Sequence, residues 1–196
     1  MRRRIGIIVI ASMLALTGCG SVGTVPDSAI SVDEHSFKQE TLLSYHDTAG
    51  VELTNTTDEP LTVDVTLKAY DSSNNYLGVY QQKVRCIDGK KTYFVYTDGT
   101  SYEVDHVKCE YTARKTSYKH CNINAWTDGD NLIVLDNDDK DCSYCKVVVV
   151  YLDQKKNIVG AQTVDAGEIP AGEKKSFGLS APRGTASTAL FADSVR

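Results

Sequence analysis

Residues 53–78, LTNTTDEPLTVDVTLKAYDSSNNYLG, return as residues 135–160, LDNDDKDCSYCKVVVVYLDQKKNIVG, at a constant offset of 82. The offset places Leu53 on Leu135, Asn55 on Asn137, Val65 on Val147, Asp71 on Asp153, Asn75 on Asn157 and Gly78 on Gly160. After a short insertion, GKKTYF from Gly89 matches GEKKSF from Gly172 at an offset of 83. Such self-similarity at a fixed period means that one structural unit occurs twice in tandem.

The unit is built of strands. In LTVDVTLKAY, Leu61, Val63, Val65, Leu67 and Ala69 alternate with Thr62, Asp64, Thr66, Lys68 and Tyr70, the period of a half-buried strand. Asp71 to Asn75 turns the chain through side-chain turn bonds and tolerance of left-handed backbone, and YLGVYQQKV returns as the second arm of a hairpin. CKVVVVYLD, KKN and IVGAQTV repeat the plan. The uninterrupted apolar run in KVVVVYL predicts a central strand covered on both faces. KTYFVYT with EVDHVKCEYTA, and KKSFGLS with STALFADSV, supply a later pair in each copy, and a weaker leading strand is expected around residues 41–46 and 117–126. No segment has a helical period. Short strands punctuated by turns predict an all-β protein of two tandem immunoglobulin-like antiparallel sandwiches, over residues 34–115 and 116–196.

The N-terminus has a different logic. Arg2, Arg3 and Arg4 precede an uncharged run from Ile5 to Gly18, and then comes Cys19. This is the order of a secretory signal peptide, and a run of about 14 residues is short for a span that needs about 20. Leu16-Thr17-Gly18-Cys19 resembles the lipobox of bacterial lipoproteins. The resemblance implies cleavage after residue 18, lipidation of Cys19, and anchoring to a membrane on its extracytoplasmic face, either at the cell surface or in the periplasm. Residues 19–33, rich in small and turn-forming types, read as the lipidated terminus and a flexible tether. Loss of residues 1–18 removes three of the 21 basic residues and leaves 18 against 26 acidic ones. That acidic balance argues against nucleic acid as a partner.

Export makes disulfides the default for cysteines, and five remain beyond Cys19, an odd number that leaves one thiol over. Cys86 and Cys109 are expected to bridge and staple the first sandwich, contributing on the order of 3 kcal/mol. Cys121 is expected to bridge either Cys142 or Cys145. The alternative for these three is thiol-redox or metal chemistry: Cys142-Ser143-Tyr144-Cys145 has dithiol spacing, and His120 beside Cys121 makes a zinc cluster conceivable. Against the dithiol, no helix begins there to lower a thiol pKa. Against the cluster, neighbouring residues on a strand point to opposite faces, which separates His120 from Cys121.

The apolar strand, the Asn-rich turn and Leu67-Lys68-Ala69-Tyr70-Asp71, followed by an apolar residue and Gly, resemble the FxLYD domain of bacterial surface lipoproteins. Leu67 and Ala69 replace the motif's Phe and Leu, while Tyr70 and Asp71 match. In the second copy, Val149 to Asp153 keep the final Asp alone. The resemblance implies sandwich fold, export and anchoring, and carries no catalytic residue.

Other chemistry is sparse. Asp136, Asp138, Asp139 and Asp141 suggest calcium, but Lys140 lies among them and the EF-hand glycine is missing. His35, His46, His106 and His120 are scattered, and no phosphate loop, G-x-S-x-G or H-E-x-x-H motif is present. Eleven tyrosines, against four phenylalanines, suit either outer strand faces or a recognition surface. The expectation is a non-catalytic module of the cell envelope, without cofactor or metal, held to the membrane by its N-terminal lipid and meeting a protein or cell-wall glycan.

Overall fold

A computed structural model describes residues 25–40, 45–97, 104–129, 131–138 and 140–196. After a short 3-10 turn at Asp27–Ala29, the first copy contains β1 (Ile30–Glu40), β2 (Tyr45–Asn55), β3 (Leu61–Tyr70), β4 (Tyr76–Ile87), β5 (Thr92–Tyr96) and β6 (His106–Lys115). The second contains β7 (Asn124–Thr127), β8 (Leu132–Asn137), β9 (Cys142–Leu152), β10 (Ile158–Ile169), β11 (Glu173–Gly178) and β12 (Ser187–Val195). The sheets run β1-β2-β5 and β4-β3-β6 in the first, β7-β8-β11 and β10-β9-β12 in the second, all antiparallel. The protein is therefore all-β, and its two sandwiches share one connectivity.

The repeat in sequence is a repeat of hydrogen bonds. Asp71 Oδ1 accepts from the Ser73 and Asn75 amides and Oδ2 from Asn75 Nδ2, all at 2.8 Å. Asp153 repeats this with Lys155 and Asn157 at 2.7–2.9 Å. Asn74 and Lys156, both with positive φ of 64° and 66°, complete the two turns. The bonds from Asn75 and Asn157 hold the Asp71 and Asp153 carboxyls below their ordinary value of 3.8. A lowered carboxylate pKa supports the fold above the unfolded value, and that support is lost as pH falls through the lowered folded value. Stability measured from pH 5 down to pH 2 is therefore expected to fall less steeply in Asp71→Asn and Asp153→Asn than in the wild type.

Alternation along β3 works as read. Leu61, Val63, Val65, Leu67 and Ala69 are buried between the first pair of sheets with Val51, Leu53, Phe94 and Val95. Gly50 opposes Tyr96 in the ladder, and a β-carbon there would lie 2.7 Å from Phe94 Cζ and 2.8 Å from the Val95 carbonyl oxygen. Gly50→Ala is expected to cost about 1–3 kcal/mol in denaturant unfolding, because the backbone carbonyl cannot move aside.

The valine run of β9 is covered on both faces, and the second cover is the other domain. Val147, Val149 and Tyr151 lie in the second sandwich's core with Ile133, Leu135 and Ile169. Val148 and Val150 join the first sandwich's cluster together with Ala161, and Ala189 and Phe191 pack against it. Phe191 meets Phe94 at 6.0 Å between ring centroids, and the Tyr96 hydroxyl lies 3.1 Å from Thr163 Oγ1. The two sandwiches thus share an apolar seam.

Two local expectations are corrected. The tether does not extend to residue 33, since Ala29 and Ile30 are already buried and β1 begins at Ile30. The leading strands also differ. β1 comes earlier than expected, Tyr45 and His46 belong to β2, and residues 41–44 lie outside the described residues. The second copy's leading strand is only Asn124–Thr127. Polar residues on β1 hid its alternation, which a long pairing with β2 from Ile30↔Asn55 to Glu40↔Tyr45 stabilises instead.

Candidate functional site

The placement of the cysteines differs from the expected staples. Cys86 and Cys109 are free thiols. They sit on β4 and β6, strands that flank β3 on opposite sides. Val84 and Ile87 pair with Val63 and Leu61, whereas Cys109 pairs with Leu67, so the two thiols are also staggered along the sheet. A disulfide needs α-carbons within about 7 Å, and two strand spacings of about 4.8 Å already exceed that. Sequence separation suggested a staple; the intervening strand rules it out.

Cys142 and Cys145 are free thiols as well, so neither bridges Cys121. All three are buried in the second core. Residues three apart on a regular strand face opposite ways. Here Cys142 pairs with Ile169 and Cys145 with Gly167, so β9 carries one residue more than β10 and the bulge turns both side chains inward. The Cys121 thiol faces the Lys140 carbonyl oxygen at 3.4 Å and that of Cys142 faces the Tyr144 carbonyl oxygen at 3.0 Å.

Burial pushes the thiols of Cys86, Cys109 and Cys145 from 9.0 up to about 12. A thiol-exchange site needs the opposite shift. The thiolate fraction of these three at pH 7 falls by roughly a thousandfold. Alkylation at neutral pH, followed by peptide mass mapping, is therefore expected to leave Cys86, Cys109 and Cys145 unlabelled in the native protein and labelled after denaturation.

The acidic run disperses. Asp136 pairs with Lys174 at 2.7 Å, Asp138 accepts from Asn124 Nδ2 at 3.3 Å, and Asp141 accepts from the Ala171 amide at 2.9 Å. Asp139 lies outside the described residues, as does the side chain of His46. The carboxylates spend themselves on separate partners along a turn.

The junction between the sandwiches brings together residues that no motif connects. Cys86 is the last residue but one of β4, and Asp88 comes just after the strand, at the turn into β5. His120 lies in the segment 116–123 that joins the domains. Cys86 Sγ is 3.7 Å from Asp88 Oδ1, and His120 Nε2 is 3.4 Å from Asp88 Oδ2. One potential ligand atom from each of the three lies within 4.8 Å of the others. His120 Nδ1 is buried and has no hydrogen-bond partner. Cys121, the next residue, points instead into the second core.

Asp193 of β12 underpins the cluster from the second domain. Its carboxylate is fully buried and accepts from the Arg85 and Cys86 amides, both at 3.0 Å. Burial raises its pKa against the pull of those amides and of the Arg85 and Lys146 charges. The Arg85 guanidinium lies 3.4 Å from the centroid of the Tyr144 ring, again across the junction. No protein-family model matches the chain, and no curated protein matches it.

The tyrosines divide between the two roles open to them. Tyr93 and Tyr151 are core residues. Tyr70, by contrast, stacks on His106 at 5.4 Å, meets Tyr76 edge-on at 6.0 Å and has Lys108 Nζ 5.0 Å from its ring. Tyr76 and Val79 are 59% and 49% exposed, which makes this edge of β4-β3-β6 an aromatic surface facing solvent. A shallow cleft of about 350 Å³ lies beside Thr127, Leu179 and Thr185, and among the described residues its lining has no ionisable side chain.

Proposed function

We propose that the protein is a lipid-anchored, extracytoplasmic module of the bacterial cell envelope, with a binding or structural role and no catalytic one. The observation that carries this reading is the order of Arg2–Arg4, an apolar run and Cys19. Between Cys19 and the 3-10 turn at Asp27 there are seven residues, which reach at most about 25 Å when extended. The first sandwich then stands close to the bilayer, and the shared apolar seam carries the second with it. Among the described residues no helix is long and apolar enough to cross a membrane. Two or three acyl chains suffice for lasting attachment where one is marginal.

The resemblance of Leu67–Asp71 to FxLYD domains supports the same reading. So does the solvent-facing group of Tyr70, Tyr76 and His106, whose flat rings suit a protein or a cell-wall glycan as partner. The test is fractionation of cells that express the full chain. Wild type is expected in the membrane fraction with an acyl-modified Cys19 in its N-terminal peptide. Cys19→Ala is expected to lose the modification and leave the membrane fraction after signal cleavage. A wild-type protein that is exported yet unacylated would overturn the reading.

A further inference from the structure

We propose that Cys86, Asp88 and His120 form a zinc site at the junction of the two sandwiches, with one coordination position open to solvent. The set is chemically coherent, because a thiolate, a carboxylate and an imidazole are the ligands zinc takes in tetrahedral sites, and three protein ligands leave a fourth position for water.

Geometry supports it from three directions. The ligand atoms already lie within 4.8 Å of one another, so small side-chain adjustments suffice to close around an ion. The ligands are also on a fixed frame. Cys86 is held by its amide on Asp193, and His120 bridges Val195 of β12 between two further bonds, Arg196 N to Lys119 O at 2.9 Å and Cys121 N to Ser194 O at 3.1 Å. Finally, the His120 ring keeps one nitrogen on Asp88 and leaves the other buried without a partner. The Cys86 thiol lies on Asp88 Oδ1 at 3.7 Å while His120 Nε2 holds Oδ2 at 3.4 Å, so the thiol and the imidazole already converge on one carboxylate.

Cys86 forms the floor of the site, while the side chains of Asp88 and His120 remain 34% and 31% exposed. An ion can therefore enter from one side. On binding, the Cys86 thiol proton passes to solvent and the thiolate donates its electron pair to the metal. Because Asp88 belongs to the first sandwich and His120 to the connecting segment, the ion would tie the β4–β5 turn to β12 through that segment.

The test uses the full chain carrying Cys19→Ser, so that the N-terminal thiol cannot contribute. Zinc titration followed by native mass spectrometry is expected to give one ion per chain and a higher melting temperature. Cobalt is expected to give the intense thiolate charge-transfer band of a tetrahedral site. Cys86→Ser should remove the band, His120→Ala should weaken zinc by more than about a hundredfold, and Cys109→Ser should change neither. No bound zinc in the parent chain, or a cobalt band that survives Cys86→Ser, overturns the proposal. Should Cys86→Ser fail to fold, His120→Ala, at a partly exposed side chain, decides: zinc affinity equal to that of the parent overturns the proposal equally.

Discussion

Asp193→Ala is expected to lower the melting temperature by about 10 °C, the largest effect of any single polar substitution in the protein. The carboxylate is fully buried, and each of its oxygens accepts one main-chain amide across the domain junction, Cys86 on Oδ1 and Arg85 on Oδ2. Hydrogen bonds to a charged acceptor contribute about 1.5–3 kcal/mol each, and a buried amide left without an acceptor carries its full desolvation cost. Loss of both comes to about 3–4 kcal/mol, which at 2–4 °C per kcal/mol for a chain of this size gives the stated drop. Asp193→Asn should fall between, because an amide oxygen can serve one of the two N–H groups while its own NH2 opposes the other. A scanning-calorimetry midpoint for Asp193→Ala within about 2 °C of wild type would show that the carboxylate does not clamp the domains.

A second pair of substitutions tests the repeat itself. Asn55 Nδ2 donates to the carbonyl oxygens of Glu59, Ile87 and Asp88 at 2.8, 2.9 and 3.2 Å, and its Oδ1 accepts from the Thr57 amide and hydroxyl. Asn137 Nδ2 donates to Lys140 at 2.8 Å and to Ile169 at 2.6 Å. Ile87 and Ile169 are themselves 82 apart, so the two amides tie the same strand end in each sandwich. Both asparagines are fully buried. Asn55→Ala and Asn137→Ala are each expected to destabilise by about 2 kcal/mol, since each leaves a buried carbonyl, of Ile87 or Ile169, and at least one part-buried carbonyl without its donor. The double variant should be additive within about 0.5 kcal/mol if the two ties are independent. Urea unfolding checks this, and an effect below 1 kcal/mol at either site would show that water replaces the amide there.

Asn55 and Asn137 also show how far a sequence can be read. Their alignment at a fixed offset marked them as equivalent before any contact was known, but an asparagine in a repeat does not declare whether it turns the chain or ties a strand end. Asp71 and Asp153 were easier, because an Asx turn is local and its partners lie within four residues.

The cysteines mark the limit. Cys86 and Cys109 have a plausible spacing for a staple, yet strand order alone decides whether they can meet, and β3 lies between them. Cys142 and Cys145 would face opposite ways on a regular strand, and a single extra residue in β9 turns both inward. The junction cluster was half visible: Cys86 and Asp88 are two apart and so share a face. His120 has Cys121 beside it in sequence, but that side chain turns away into the second core.

Sequence alone determined the central hairpins, the inward face of β3 and the duplication, because period-two alternation and side-chain turn bonds act over a few residues and can be read locally; it missed β1, whose polar residues carry no alternation. The tertiary structure decided what the outer face of β9 packs against, that the expected disulfides do not form, and that Cys86, Asp88, His120 and Asp193 converge. These depend on sheet order, on a bulge and on how one domain docks on the other. Each is set by contacts between residues far apart in the chain, whose energies no local pattern encodes.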